Sequence, residues 1–323
     1  MLPGFCIDHQ LVRNAESEYL RPAPVLAKFL ASRKTASVCL VRGYALGDLI
    51  MLTPVIEQLK EDYPGVKISL VVQDRYKELF RYYRSVEDVL DYKRVGSRTF
   101  DYGVMLDGVL EVDHRKSCKN RSHRSDMYAR FLGMTLMKHV FRLPISDLDR
   151  KWAFRFLAEA GVGKDERIVA IQIKGSTPVK TLPKEKVVRI CKAIVALGAK
   201  VLLIDHDRNT GWEGTGIINA CGKTNVHRLV ALLERSNLAV CMDSGVLHLT
   251  HCTGTPTVAL LGATRPQDRT VYHPDCVAVE LNKEIGCESC FEAMSACGGR
   301  ANCMVAANEK TIIQAIERRI AND

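Results

Sequence analysis

The chain has 323 residues, 47% of them hydrophobic and 26% charged, with twelve cysteines and a formal net charge of +9. This composition excludes a disordered chain and supports two domains of ordinary size, and the lack of any apolar run of about 18 residues excludes a membrane-spanning helix. The surplus of cations suits an anionic ligand, an anionic surface or nucleic acid without choosing among them.

Residues 1–10 lack the basic-then-apolar order of a signal peptide, so a cytoplasmic location is expected. Residues 1–36 carry Pro3, Pro22 and Pro24 and one amphipathic stretch at 25–32, which reads as an irregular arm with a single helix. The apolar run 38–42 predicts a buried strand, 43–48 a glycine-bearing turn, and 49–63 a helix that Pro54 either kinks or starts late. Strand 67–73, helix 76–83 and strands 86–92 and 102–106 follow, and this alternation predicts a parallel sheet with helices on both faces. The polar, charge-rich stretch 107–125 reads as a loop at a strand's carboxyl end, either merely solvated or facing a substrate. Helix 126–133, strand 139–143 and a linker at 144–149 close the first half.

The alternation then restarts with helix 148–160, strand 168–173, a turn from Lys174 to Pro178, helix 184–197, strand 200–204 and helix 226–234. Strand 238–242 ends at Asp243, Ser244 and Gly245. Helix 246–252 stops at Gly254, strand 257–262 follows, and helix 309–320 ends the chain. The expected domains are therefore 1–36 (arm), 37–147 and 148–323, the last two being Rossmann-like halves facing across a cleft.

Three strand-to-helix turns carry the chemistry. A turn of this kind sets free backbone N–H groups and a helix's positive end at a sheet's carboxyl edge, where open α/β sheets bind phosphorylated ligands. The turn at 174–180 offers Ser176, Thr177, Gly175 and Lys180, a set that suits a diphosphate, although a polar loop with an incidental lysine has the same composition. The turn at 243–248 is a second candidate, or a plain crossover with a serine N-cap. In the first turn Asp48 is either a functional carboxylate or a helix-capping one. Neither the G-x-G-x-x-G nor the Walker pattern is present, which argues against dinucleotide and P-loop sites.

Taken together, Gly47-Asp48, Thr53-Pro54, Leu59-Lys60, Lys180 with Pro183, Asp243-Ser244-Gly245-x-x-His248-Leu249, Gly254-x-Pro256 and Gly262-x-Thr264-x-Pro266 resemble glycosyltransferase family 9, which includes the heptosyltransferases of the lipopolysaccharide inner core. The resemblance runs from about residue 38 to the C-terminus. It implies a GT-B fold, a nucleotide-diphosphate sugar donor (ADP-heptose being commonest) held by the C-terminal domain, acceptor recognition by the N-terminal domain, and inversion without a catalytic metal. Residue by residue, it implies Asp48 as general base, Lys180 as diphosphate cation, and Gly47, Ser176, Thr177, Asp243, Ser244, Gly245 and His248 at the donor site. Direct displacement needs such a carboxylate at the acceptor hydroxyl and positive charge at the leaving phosphate. Being negative, Asp243 fits a role in orienting its turn or meeting sugar hydroxyls.

Three departures stand out: the arm at 1–36, Leu182 where the family often has tryptophan, and no secure ribose-binding acid, for which Asp205 and Asp207 are candidates. The implied acceptor is a saccharide or lipid-linked saccharide of the cell envelope, with peripheral contact to an anionic membrane surface. A protein or modified DNA acceptor, or a non-enzymatic sugar-nucleotide binder, are the alternatives. Cys287, Cys290, Cys297 and Cys303 cluster within 17 residues. Their number suits a structural zinc or iron, with free thiols or disulfides as the other readings.

Overall fold

The computed structural model describes residues 5–6, 25–91, 95, 98–110, 122–208, 211–212, 214–290, 297–298 and 300–321. The chain divides into two compact units, Met1–Leu143 and Pro144–Asp323. Most of the arm, most of the charged stretch at 107–125 and part of the cysteine segment lie outside the described residues.

The first unit contains β1 (Phe5–Cys6), α1 (Val25–Ala31), β2 (Ala36–Val41), α2 (Leu46–Asp62), β3 (Val66–Val72), β4 (Asp88–Asp91), β5 (Thr99–Phe100), β6 (Tyr102–Met105) and α3 (Arg124–Phe131). Its main sheet has the order β4-β3-β2-β6, and every neighbouring pair is parallel. The chain thus moves outward from β2 to β4 and returns to the other side of β2 as β6. Val38, Leu40 and Val41 of β2 are buried, as the apolar run predicts for a central strand.

Helix α2 begins at Leu46, three residues earlier than its periodicity implies, and continues through Pro54. Pro54 cannot donate to Ile50 O, and the Thr53 hydroxyl fills that vacancy at 2.7 Å. The expected helix at 76–83 is instead a 3-10 segment, Asp74–Phe80.

Residues 139–143 form no strand. Phe141, Leu143 and Ile145 are buried while 140, 142 and 144 are exposed, so the period of two is present. Alternation records which side chains are covered; strand status also needs a partner backbone, and this segment has none among the described residues.

The second unit contains α4 (Asp147–Glu159), β7 (Ile168–Gln172), α5 (Lys184–Ala196), β8 (Lys200–Ile204), β9 (Ile217–Asn219), α6 (Val226–Glu234), β10 (Leu238–Met242), α7 (Gly245–Thr253), β11 (Thr257–Leu261), α8 (Pro266–Arg269), β12 (Cys276–Glu280), α9 (Asn302–Ala306) and α10 (Glu309–Ala321). Its sheet runs β12-β11-β10-β7-β8-β9, all parallel. Counted within the unit this is the 3-2-1-4-5-6 order of doubly wound nucleotide-binding folds. β10 pairs with β7 on one side and β11 on the other, and all five of its residues are buried. Gly254, at φ +70°, ends α7 in the left-handed conformation that glycine adopts without strain. No helix among the described residues is long and apolar enough to cross a membrane.

Candidate active site

A doubly wound sheet opens a crevice at the carboxyl ends of the two strands where its order reverses. In the first unit those strands are β2 and β6, and in the second β7 and β10. Each pair of following turns gathers charged or polar side chains.

In the first unit, β2 is followed by Arg42, which is fully buried. Its guanidinium bonds Leu106 O at 3.4 Å, lies 3.5 Å from Asp107 Oδ1, and donates to Asp48 Oδ2. Asp107, after β6, accepts the Gly43 N–H at 2.9 Å, so the two turns are tied directly. Ala45 sits at φ +68°, a conformation unusual for a residue with a side chain, and brings α2 in so that Asp48 falls in its first turn beside Gly47. The second oxygen of Asp48 accepts from Arg124, the first residue of α3, whose side chain is 16% exposed. Asp48, itself buried, is therefore held between two guanidiniums, which favour its ionised form.

In the second unit, the loop after β7 folds back on itself. Gly175 N–H donates to Thr181 Oγ1 at 3.0 Å, Thr181 Oγ1 donates to Thr177 O at 2.9 Å, and Lys180 N–H donates to the same carbonyl at 3.0 Å. These bonds carry Lys180 into a buried position, with Nζ 3.3 Å from Asp243 Oδ2. The other oxygen of Asp243 accepts from Arg269 Nε at 2.9 Å. Ser244 caps α7 by accepting from Val246 N–H at 3.2 Å and donates to Gln172 Oε1 at 2.7 Å. Gln172 Nε2 donates to Lys174 O at 2.8 Å and so joins the two turns across the reversal. His248 is buried on the first turn of α7.

Two hydroxyls of the second unit, Thr177 Oγ1 on this loop and Thr264 Oγ1 after β11, are buried without a hydrogen-bond partner among the described residues. Ser176 is exposed, and Gly245 starts α7, whose first N–H groups point outward from the helix end. Asp205 and Asp207 both face Lys174, at 3.9 and 2.5 Å, and the Lys174 ammonium lowers the pKa of Asp207.

Arg42, Arg124, Arg269 and Gln172 escape the sequence reading. Arg42 and Gln172 had a signal, since each is the polar residue that closes an apolar central strand just before a glycine turn. Arg124 lies in the charge-rich stretch 107–125 read as a loop that either is solvated or faces a substrate, without being singled out; Arg269 had no signal, because only the fold brings it to a carboxylate.

The thiols of the cysteine segment are less tightly gathered. Burial raises the pKa of the Cys303 thiol, with smaller contributions from Cys290 and Cys297. Among the described residues, no three or more His, Cys, Asp or Glu side chains are placed to hold a metal ion.

A model of glycosyltransferase family 9 (heptosyltransferase) matches residues 124–299. Among solved structures, the family 9 glycosyl transferase from Veillonella parvula is 20% identical, with 89% of this chain and 98% of that one covered at a TM-score of 0.72. The E. coli ADP-heptose lipopolysaccharide heptosyltransferase II is 14% identical, with 88% and 99% covered and a TM-score of 0.64. The iron-containing dodecameric glycosyltransferase TibC of enterotoxigenic E. coli is 16% identical, with 88% and 78% covered and a TM-score of 0.67; it has also been solved with ADP-D-β-D-heptose. At these identities the likeness shows a common GT-B fold. No curated protein sequence gives a significant match.

Proposed function

Because the chain belongs to glycosyltransferase family 9, the heptosyltransferase family, we propose that it moves a sugar, heptose being favoured, from a nucleoside-diphosphate donor to an acceptor hydroxyl with inversion. The observation that carries this reading is the buried cation Lys180 at the strand-order reversal of the second unit, on a loop that also bears the unpartnered hydroxyl of Thr177. A buried hydroxyl without a partner costs about 1–3 kcal/mol, which a phosphate oxygen would recover. ADP-heptose is the favoured donor, supported by the ADP-heptose complex of TibC.

The chemistry follows from these residues. Asp48 takes the proton of the acceptor hydroxyl as its oxygen attacks the anomeric carbon. The bond from that carbon to the diphosphate breaks, and its electron pair leaves with the nucleoside diphosphate. Lys180 and the N–H groups at the start of α7 meet the charge that develops there, with Thr177 and Ser176 on the same loop. A cation already stands at the leaving group, so the reading calls for no catalytic metal. Arg42 is fully buried and fastened to Leu106 and Asp107, whereas Arg124 is the more exposed partner of Asp48. The acceptor therefore reaches the carboxylate from the Arg124 side.

The acceptor is a lipopolysaccharide or other cell-envelope saccharide, met in the cytoplasm, and the net charge of +9 suits peripheral contact with an anionic membrane surface. Asp48→Asn tests the base. Turnover falls by about 10²–10⁴-fold while ADP still raises the melting temperature. Turnover equal to wild type would remove Asp48 from this role.

Cys287, Cys290, Cys297 and Cys303 are the residues that would hold a structural zinc or iron. Support comes from the count of four thiols within 17 residues; as placed, the described side chains are not drawn together around an ion. The ion would tether a segment with little core of its own. Elemental analysis of protein kept from chelators is expected to find about one metal per chain; finding none would discard the site.

A further inference from the structure

We propose that Arg269 is a positioning residue for the donor diphosphate, acting through Asp243 on Lys180. The inference rests on the reading of Lys180 as the diphosphate-binding cation.

Three ionised side chains meet here with almost no water. Lys180 is 9% exposed, Asp243 4% and Arg269 2%. Asp243 uses one oxygen for each cation, with Arg269 Nε at 2.9 Å and Lys180 Nζ at 3.3 Å. A lysine and an aspartate alone sum to zero, and a neutral pair has little attraction for a dianionic diphosphate. Arg269 adds one positive charge to that pair.

Asp268, adjacent in sequence, does not take this charge up. Both oxygens of Asp268 are taken by Arg265, at 3.1 Å each, and Arg269 meets only the backbone carbonyl of that residue, at 3.4 Å. The Arg269 side chain is 1% exposed, so it acts by charge and by fixing Asp243 rather than by touching the ligand. In so dry a site, a charge acts across several ångströms with little screening.

The fold explains how one residue is able to do this. Lys180 follows β7, Asp243 follows β10 and Arg269 lies in α8 after β11, so three adjacent parallel strands deliver the three groups to one edge. Asp243 is thereby the counter-ion that holds Lys180 in place, and Arg269 is the second cation that keeps Asp243 from neutralising it.

ADP titrations of the full chain by calorimetry test this. Arg269→Gln is expected to weaken ADP binding by about tenfold or more, and Arg269→Lys to stay within about threefold of wild type. The double variant Arg269→Gln with Asp243→Asn restores the charge balance of the wild type and is expected to regain most of the affinity lost in the single variant. A merely structural ion pair gives the opposite order, with the double variant no better than the single.

Unchanged ADP affinity in folded Arg269→Gln would overturn the inference. Should that variant not fold, a folded double variant that has lost ADP binding overturns it equally. Lys180→Gln is the control. ADP binding that survives in Lys180→Gln overturns the reading of Lys180 itself, and this inference with it.

Discussion

Gly175 has no room for a side chain. A Cβ built there would lie 2.2 Å from Lys180 O and 2.7 Å from Lys180 Cβ. The close approach of these two backbones is what turns the loop after β7 inward and buries the lysine. Gly175→Ala must push residue 180 aside, and if Lys180 is the cation proposed to meet the leaving phosphate, a displacement of about 1 Å costs about 10²-fold in rate. Turnover with a saturating donor is the measurement, and a rate near wild type would mean that the loop absorbs the methyl without moving Lys180. The same scale governs Asp48. It is a first-turn residue of α2 whose two oxygens are both occupied by guanidiniums, so its environment is set by Arg42 and Arg124 and only secondarily by the helix dipole.

Among the elements, α2 is the one that its sequence least invites. It carries a glycine in its first turn and a proline at its middle, yet it is buried along most of its length. Thr53 makes this tolerable by giving Ile50 O the hydrogen bond that Pro54 cannot. Thr53→Val keeps the shape of the side chain and removes that bond, leaving a buried carbonyl unpaired. The expected loss is about 1–3 kcal/mol, read as a lower urea midpoint with an unchanged slope. An unchanged midpoint would show that the helix finds another donor or bends. β10 and α7 illustrate the opposite case. There the apolar run, the serine cap and the terminal glycine all agree, and the element needs no rescue.

The second unit also has an acid-sensitive spot. His273 is buried, stacks on His251 at 4.8 Å, and has Nε2 3.3–3.4 Å from the Thr257 and Thr250 hydroxyls. Burial lowers its pKa from 6.5 to about 4; Arg319 adds to that shift and Asp275 opposes it. Between those two values the unfolded chain binds a proton that the folded chain refuses, so stability falls as the pH drops from about 6.5 towards 4. The difference corresponds to about 3 kcal/mol at most. His273→Gln should flatten this part of the acid limb of melting temperature against pH. An unaltered limb would assign it to other groups. At this scale the chain is a GT-B protein of glycosyltransferase family 9.

Much of the architecture is legible in the sequence because it is written in local periodicity. The predicted helix 226–234 and strand 238–242 coincide with α6 and β10 residue for residue. β9 and β12 are missed because they are edge strands. One is three residues long, and the other has an apolar run of only four residues, Cys276–Val279, with Val277 40% exposed. The sequence by itself determined the alternation of strands and helices, the glycine turns, and the presence of Asp48, Lys180 and Asp243 in them. Only the tertiary structure decided what those charges meet. Asp48 lies six residues from Arg42 but 76 from Arg124, and Asp243 lies 26 from Arg269. Such pairings follow from strand order and register, which no local pattern encodes. The carboxylates and cations are visible in the chain; their partners are a property of the sheet.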